Sequence, residues 1–338
     1  MPSKYIPSSS GYRHSRHPGK KNPPTGTDAD LNLATLQVLF HDESKARAFL
    51  ESKRWPNGPI CPRCGCKEAY TLTPKANSRC PIAAGTYKCK GCRKYFTVRI
   101  GTVFEESKVP ISKWLAAFYF MSTDKKGISS HEMARKLGVT QKTAWFLCHR
   151  IREAMKREPM AGMLQGVVEA DETYVGGKPR PHSVRNSKRG RGTAKKPVML
   201  LVERDGSARA FPVDAVDGKT LKGQITVNVA KEAVVMTDEF AAYGGLDTQV
   251  ARHETVNHSA GQYSRVAQDG LTIHTNTAES FFALLKRGHY GVFHQLSKQH
   301  LHRYCNEFGF RWTERKVSDG ERMVAAIKGA EGKRLMYG

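Results

Sequence analysis

Six of the eight cysteines in this 338-residue chain crowd into one short segment, as Cys61, Cys64, Cys66, Cys80, Cys89 and Cys92. The other two, Cys148 and Cys305, stand alone. A disulfide framework spreads its cysteines and needs an oxidising compartment, so clustering of this kind points to metal. The segment reads Cys61-Pro-Arg-Cys64-Gly-Cys66 and then Cys89-Lys-Gly-Cys92. Two Cys-x-x-Cys knuckles each turn two thiolates toward one Zn2+, and four thiolates leave no open coordination position for chemistry. Cys61, Cys64, Cys89 and Cys92 are therefore the expected ligands of a structural zinc. Gly65 and Gly91 suit the tight knuckle turns, which favour residues tolerant of positive φ. The 24 residues between the knuckles exceed the roughly 15–20 of a common ribbon, and a hairpin through Ala69–Leu72 and Tyr87-Lys88 absorbs the excess. Cys66 and Cys80 are left as spare thiols, with Cys66 a register competitor. A redox Cys-x-x-Cys is the competing reading, and the presence of two such pairs weighs against it.

Charge supplies the second constraint. The chain carries 55 Lys+Arg against 31 Asp+Glu, a formal charge of +24. A surplus of that size attracts a polyanion, and nucleic acid is the expected partner. No apolar run approaches the roughly 18–20 residues that span a bilayer, and the run Val198–Val202 has the length of a strand. Residues 1–21 are polar and basic, which argues against a secretory signal. A cytoplasmic, nucleoid-associated protein with no membrane partner is the expectation.

The chain divides into modules. Residues 1–28, rich in Pro, Ser, Gly and basic side chains, read as a disordered basic arm. Residues 29–104 read as N-terminal helices, with apolar positions at Leu33, Leu36, Phe40, Ala46 and Phe49, leading into the zinc ribbon. Residues 105–160 read as helical, with Trp114, Leu115, Phe118 and Tyr119 on one face. Within them Ile128–Trp145 has the form of a helix-turn-helix, with Gly138 in the turn and Thr140 capping the second helix. Gln141, Lys142, His149, Arg150 and Arg152 are expected on its outer surface, toward a DNA groove or phosphates. An ordinary helical hairpin is the alternative. From residue 161 the period becomes that of strands, at Val167–Val175, Val198–Val202, Ala208–Val213 and Ala233–Met236, with helices over Lys219–Val227 and Thr277–Lys286. This mixture predicts an α/β domain with a mixed sheet over 161–315 and leaves 316–338 as a C-terminal tail.

The chemistry rests on carboxylates at strand and helix ends. Asp171 ends the first strand, Asp238 follows a later buried one, and Glu279 lies in the first turn of the Thr277 helix. Three converging carboxylates can hold two divalent ions about 3.5–4 Å apart, one activating water or a 3′-hydroxyl and the other stabilising the leaving oxygen of a phosphodiester. Oxygen ligands favour Mg2+ or Mn2+. Lys286 follows Glu279 by seven residues, which on a helix is about 20° short of two turns. It therefore shares the Glu279 face and can reach a phosphate.

Four separated stretches now resemble one family in order: Ala170–Lys178 (ADETYVGGK), Thr237–Tyr243 (TDEFAAY), His274–Gly288 (HTNTAESFFALLKRG) and His300–Trp312 (HLHRYCNEFGFRW). They look like bacterial insertion-sequence transposases with an N-terminal zinc ribbon and a ribonuclease-H-like DDE catalytic domain. The resemblance runs from about Leu36 to Arg315. It implies DNA cleavage and strand transfer by in-line phosphoryl transfer with Mg2+, without a covalent enzyme–DNA intermediate. It further implies binding of double-stranded DNA, both terminal inverted repeats and target, and a homodimer on that DNA. The third catalytic position in such proteins is written as Glu or Asn, followed by Lys. Here Asn276 and Glu279 both precede Lys286; charge favours Glu279, leaving Asn276 as a weaker oxygen ligand or a supporting group. A non-enzymatic zinc-ribbon and helix-turn-helix regulator is the alternative, and a general ribonuclease-H-like nuclease a weaker third reading.

Other features have plainer explanations. Between Glu172 and Glu203 there is no acid, while Lys178, Arg180, Arg185, Lys188, Arg189, Arg191, Lys195 and Lys196 accumulate, which reads as a basic loop gripping DNA phosphates. The irregularly spaced His289, His294, His300 and His302 suit packing or phosphate contact better than metal. Phe240 and Tyr243 suit core packing at least as well as base stacking. Gly176-Gly177-Lys178 lacks the spacing of a P-loop, so no nucleoside triphosphate is implied.

Overall fold

The computed structural model describes residues 27–73, 82–156, 162–176, 193 and 195–336. Cys80, most of the basic arm, and Lys188, Arg189 and Arg191 of the basic loop lie outside these residues.

Helices α1 (Leu33–His41) and α2 (Glu43–Arg54) open the described chain. Asn32 caps α1 by accepting the Ala34 and Thr35 N–H groups, and Asp42 does the same for α2 through Ser44 and Lys45, satisfying donors that a helix start leaves orphaned. The ribbon is a three-stranded antiparallel sheet of β1 (Ala69–Leu72), β2 (Thr86–Cys89) and β3 (Tyr95–Phe96), with β2 central. Then come α3 (Ile111–Thr123), α4 (Ser130–Leu137) and α5 (Gln141–Ala154). Ser129 caps α4, Gly138 ends it at φ +59°, and Thr140 caps α5 by accepting the Thr143 N–H. The helix-turn-helix punctuation thus falls where the sequence places it.

The second half contains β4 (Val167–Val175), β5 (Lys196–Glu203), β6 (Ala208–Pro212), α6 (Gly218–Asn228), β7 (Val234–Asp238), β8 (Arg252–Val256), the short β9 (Arg265–Val266) and β10 (Thr272–Ile273), α7 (Asn276–Gly288), α8 (Leu301–Thr313) and α9 (Asp319–Lys328). The main sheet has the order β6-β5-β4-β7-β8. β4 is antiparallel to β5 and parallel to β7, which is parallel to β8. A long central strand with an antiparallel hairpin on one side and parallel strands on the other makes the mixed sheet that the sequence predicts.

Pleat alternation assigns the faces. Val168, Ala170, Met199 and Leu201 pack with Leu221 and Ile225 of α6. Val175, Val198, Leu200 and Val202 pack on the other face, with Phe281, Phe282 and Leu285 of α7 and Phe308 of α8. Burial on both faces explains why Val198–Val202 is an unbroken apolar run. A separate core unites the first half: Leu36, Leu50, Phe96, Phe104, Trp114, Phe118, Met133, Leu147 and Ile151 are all buried in it. Met323 and Ile327 of α9 join that core, so the chain beyond residue 315 forms a helix that returns to the N-terminal half. Arg54 fastens it, donating from Nε and Nη2 to the Glu331 carboxylate at 2.6 and 2.8 Å.

Candidate functional site

The ribbon brings four thiols together. The Sγ atoms of Cys61, Cys64, Cys89 and Cys92 all lie within 4.8 Å of one another, with Cys61–Cys92 at 3.7 Å and Cys64–Cys89 at 3.5 Å. A tetrahedron with Zn–S bonds of about 2.3 Å has edges of about 3.8 Å, so the donor set and its spacing fit a structural zinc. The knuckles repeat one pattern. Cys61 N–H donates to Cys66 O and Cys89 N–H to Lys94 O, and the residue after the second cysteine of each knuckle has positive φ, Gly65 at +72° and Arg93 at +60°. The expectation that Gly91 supplies that turn is corrected: the second left-handed position belongs to Arg93. Gly91 is instead packed, since a Cβ there would stand 3.4 Å from the Cys66 Cβ. Cys66 itself contributes its backbone, whose N–H, with the Cys89 thiol next, lowers the Cys64 thiol to about 7.

Asp171 and Asp238 lie on the neighbouring strands β4 and β7. These strands pair as Val167↔Val234, Val168↔Val235 and Glu169↔Met236. The same offset carries Asp171 level with Asp238, two positions past the last paired residues. Asp171, like Glu169, points to the face covered by α7, and Asp238 shares that face by the alternation of the parallel neighbour. The strand order turns here, with β5 and β6 on one side and β7 and β8 on the other, which is where an α/β sheet opens a crevice. β4 spans the Val167–Val175 read from the sequence, and Asp171 lies in its middle, not at its end as expected. β4 runs on to Val175 because β5 continues to pair with it from Asp171↔Leu200 to Val175↔Lys196.

Burial pushes the Asp171 carboxyl up to about 7, against the Glu172 backbone N–H, and the negative charges of Glu172, Asp238 and Glu279 push the same way. Those three acids are thus near enough to act on Asp171. They are more loosely spaced than the thiols: among the described residues, the four cysteines are the group of metal-ligating atoms found within 4.8 Å of one another. A cluster whose charged form is penalised by its own neighbours has the donor chemistry of a cation site. Asp238 Oδ1 accepts the Phe240 N–H at 3.1 Å. Glu279 and Lys286 are exposed along α7, and Asn276 is exposed as its first residue. Tyr243 is core: it is buried, and its hydroxyl donates to Glu172 Oε1 at 2.6 Å.

The helix-turn-helix surface is smaller than expected. Gln141 and Lys142 are exposed at the start of α5. Arg150 and Arg152, expected on the DNA-facing side, are buried, as is His149. Arg150 donates to the carbonyls of Val103 and Glu105 at 3.0 and 2.7 Å. Arg152 Nε meets Glu307 of α8 at 2.6 Å, and Arg311 approaches the same carboxylate at 2.5 Å. Burial raises the Glu307 carboxyl, but the two arginines outweigh it and hold it below the usual range. The physical reason is packing on two sides of α5: α8 covers the side that bears Arg152, while the segment at Val103–Glu105 and the Leu335 carbonyl take up Arg150. His300 stacks into this joint, 4.9 Å from His149 and 5.4 Å from Trp145.

The residue that sequence reasoning passes over is Glu169. It is fully buried, accepts the N–H groups of Thr277 and Ala278 at 2.8 and 3.0 Å, and pairs with Arg204 at 2.9 Å. Its position two residues before Asp171 is the signal that could have found it, because residues i and i+2 of a strand share a face.

Among the described residues no helix is long and apolar enough to cross a membrane. Residues 163–313 match the family profile of the ISXO2-like transposase domain, and residues 41–95 match the transposase zinc-ribbon domain. A protein described as an uncharacterized protein in transposable element ISH50, from Halobacterium salinarum (strain ATCC 700922 / JCM 11081 / NRC-1), is 31% identical over 293 residues, covering 80% of this chain and 91% of that protein. The Mos1 strand transfer complex is similar at 12% identity and a TM-score of 0.27, covering 66% of this chain and 79% of that one. The Mos1 mariner paired end complex with Mn gives 11%, the same TM-score, and coverages of 63% and 75%. Both superpositions are too loose to carry an assignment. With its zinc ribbon, its mixed-sheet domain and a relative matched along nearly its whole length, the chain belongs to the ISXO2-like transposases.

Proposed function

We propose that this transposase cuts DNA at the terminal inverted repeats of its own element and joins the ends to target DNA, using the cluster of Asp171, Asp238 and Glu279. The observation that carries the reading is the level placement of Asp171 and Asp238 on adjacent parallel strands, with Glu279 close enough to raise the Asp171 carboxyl. Mg2+ or Mn2+ held by these oxygens would supply an activated water or 3′-hydroxyl nucleophile and stabilise the leaving oxygen. The chain's own groups do the rest. Asp171 must lose its proton to take part; burial, with its acidic neighbours, raises that carboxyl to about 7, and a bound cation would favour the charged form. Lys286, two helical turns beyond Glu279, holds a phosphate on the cluster's open side. Asn276 offers a neutral carbonyl oxygen at the same helix end, and the charged Glu279 is the third acid. Gln141 and Lys142 face the DNA groove, and Lys188, Arg189 and Arg191 grip the DNA backbone. Two DNA ends must be held together for joining, so the working form is a homodimer on DNA.

The test uses the full chain, a duplex carrying the element's terminal repeat, a target plasmid and Mg2+. The expected result is cleavage at the repeat boundary and covalent joining, both lost in Asp171→Asn and in Asp238→Asn while repeat binding survives. Repeat binding with no metal-dependent cleavage by the unaltered protein would make it a DNA-binding regulator instead. Cleavage without joining would make it a nuclease.

A further inference from the structure

We propose that Glu169 is a positioning residue: buried beneath Asp171, it caps α7 from the neighbouring strand and so sets where Glu279 stands. The inference rests on the functional reading above, in which Asp171, Asp238 and Glu279 form the reactive cluster.

The Glu169 carboxylate is 0% exposed, a placement that is costly unless every oxygen meets donors. It meets them. Oε2 accepts the backbone N–H groups of Thr277 at 2.8 Å and Ala278 at 3.0 Å. Oε1 accepts the Thr277 hydroxyl at 2.8 Å and the Arg204 Nε at 2.9 Å, and lies 3.2 Å from His274 Nδ1. Thr275, the residue in the capping position of α7, makes no side-chain capping bond. The next two donors, the N–H groups of Thr277 and Ala278, are therefore satisfied from a strand more than a hundred residues earlier, while the Asn276 N–H goes to His274 Nδ1 on the helix's own flank at 3.3 Å.

Glu279 is the next residue along the helix. Its N–H makes the first rung, to Thr275 O at 3.1 Å, directly after the two residues that Glu169 holds. Any rotation or slip of the capped turn passes to Glu279 without an intervening joint. Arg204 closes the clamp from the other side, donating to Thr272 O at 2.5 Å and His274 O at 3.2 Å, so the entry from β10 to α7 is pinned as well. Glu169 and Asp171 lie on one face of one strand. A single strand thus bears one acid of the cluster and the anchor of the helix that bears another. With both oxygens occupied by donors and enclosed, Glu169 is not itself a cation ligand.

The experiment uses the full zinc-loaded chain and monitors Mn2+ uptake by the loss of the free-ion EPR signal. The variants are Glu169→Gln, which puts an amide N–H among donors, and the milder Thr277→Val, which removes one hydroxyl. Thermal unfolding of each shows whether it folds. Mn2+ affinity is expected to fall at least about 10-fold in Glu169→Gln and about 3-fold in Thr277→Val. Affinity for the terminal-repeat duplex is expected to stay within about 2-fold, since the phosphate-gripping surface is untouched. A merely structural role would shrink the folded fraction without moving the Mn2+ midpoint of what remains. An unchanged midpoint in folded Glu169→Gln overturns the proposal; if that variant does not fold, an unchanged midpoint in Thr277→Val does so. Wild-type uptake that depends on Asp171 and Asp238 but not on Glu169 sinks the positioning role alone. A wild-type chain that takes up no Mn2+ sinks the carboxylate reading as well.

Discussion

The zinc centre and the carboxylate cluster are both groups of metal-ligating side chains, built in opposite ways. The four cysteines come from two short knuckles, each closed by its own backbone hydrogen bonds, and their sulfurs already stand at tetrahedral spacing. The three acids come from two strands and a helix spread over more than a hundred residues, and burial, with their mutual repulsion behind it, lifts Asp171 to about 7. The first arrangement is satisfied by its ion and finished. The second is kept under tension and held in place by groups, such as Glu169, that bind no ion themselves. A closed site stabilises a fold, while an open and strained one is what chemistry requires.

The largest effect should come from the ribbon. Removing zinc with a chelator, or replacing Cys61 or Cys89 by Ser, is expected to unfold the ribbon, because binding energy of about 10–16 kcal/mol is folding energy in such modules. Circular dichroism and zinc content check it, and a ribbon that stays folded without metal would break the comparison on the structural side. Next in size is catalysis. Asp171→Asn and Asp238→Asn should each lower metal-dependent nicking by about a thousand-fold or more, with zinc content and repeat affinity unchanged.

A smaller effect has the opposite sign. The Asp171 carboxyl sits near 7 instead of 3.8 in the metal-free fold. A group raised in this way costs nothing below about pH 4, where it is protonated folded or unfolded. Its cost grows as pH rises and is complete above about pH 7. Asp171→Asn should therefore stabilise the metal-free protein at pH 8 by about 2–4 kcal/mol, an advantage that shrinks toward zero at pH 4. Denaturant titrations at the two pH values measure it. The smallest effect separates ligand from neighbour. Cys66→Ser keeps the N–H that reaches Cys64 and loses only a thiol, so zinc content should hold and stability should change by less than about 0.5 kcal/mol.

Legibility in the sequence divides along the same line. The zinc ligands can be read because their spacing is local, and the helix-turn-helix boundaries because Gly138 and Thr140 act on the turn they occupy. The acids of the cluster can be nominated from strand patterns. Glu169 is signalled only by its place two residues before Asp171, because a lone acid in a strand resembles a solvated one until Arg204 and the start of α7 are brought against it. Arg150 and Arg152 are misplaced by periodicity for a related reason. Helical spacing does not tell that α8, more than a hundred residues later, will cover Arg152 and offer Glu307, or that the carbonyls of Val103 and Glu105 will take up Arg150.

The most direct measurement is the position of a bound ion. Crystals of the zinc-loaded chain soaked in Mn2+ and measured at the manganese edge should show anomalous density between the carboxylates of Asp171, Asp238 and Glu279. Manganese density elsewhere, with the oxygens of Asp171 and Asp238 too far apart to share an ion, would contradict the reading.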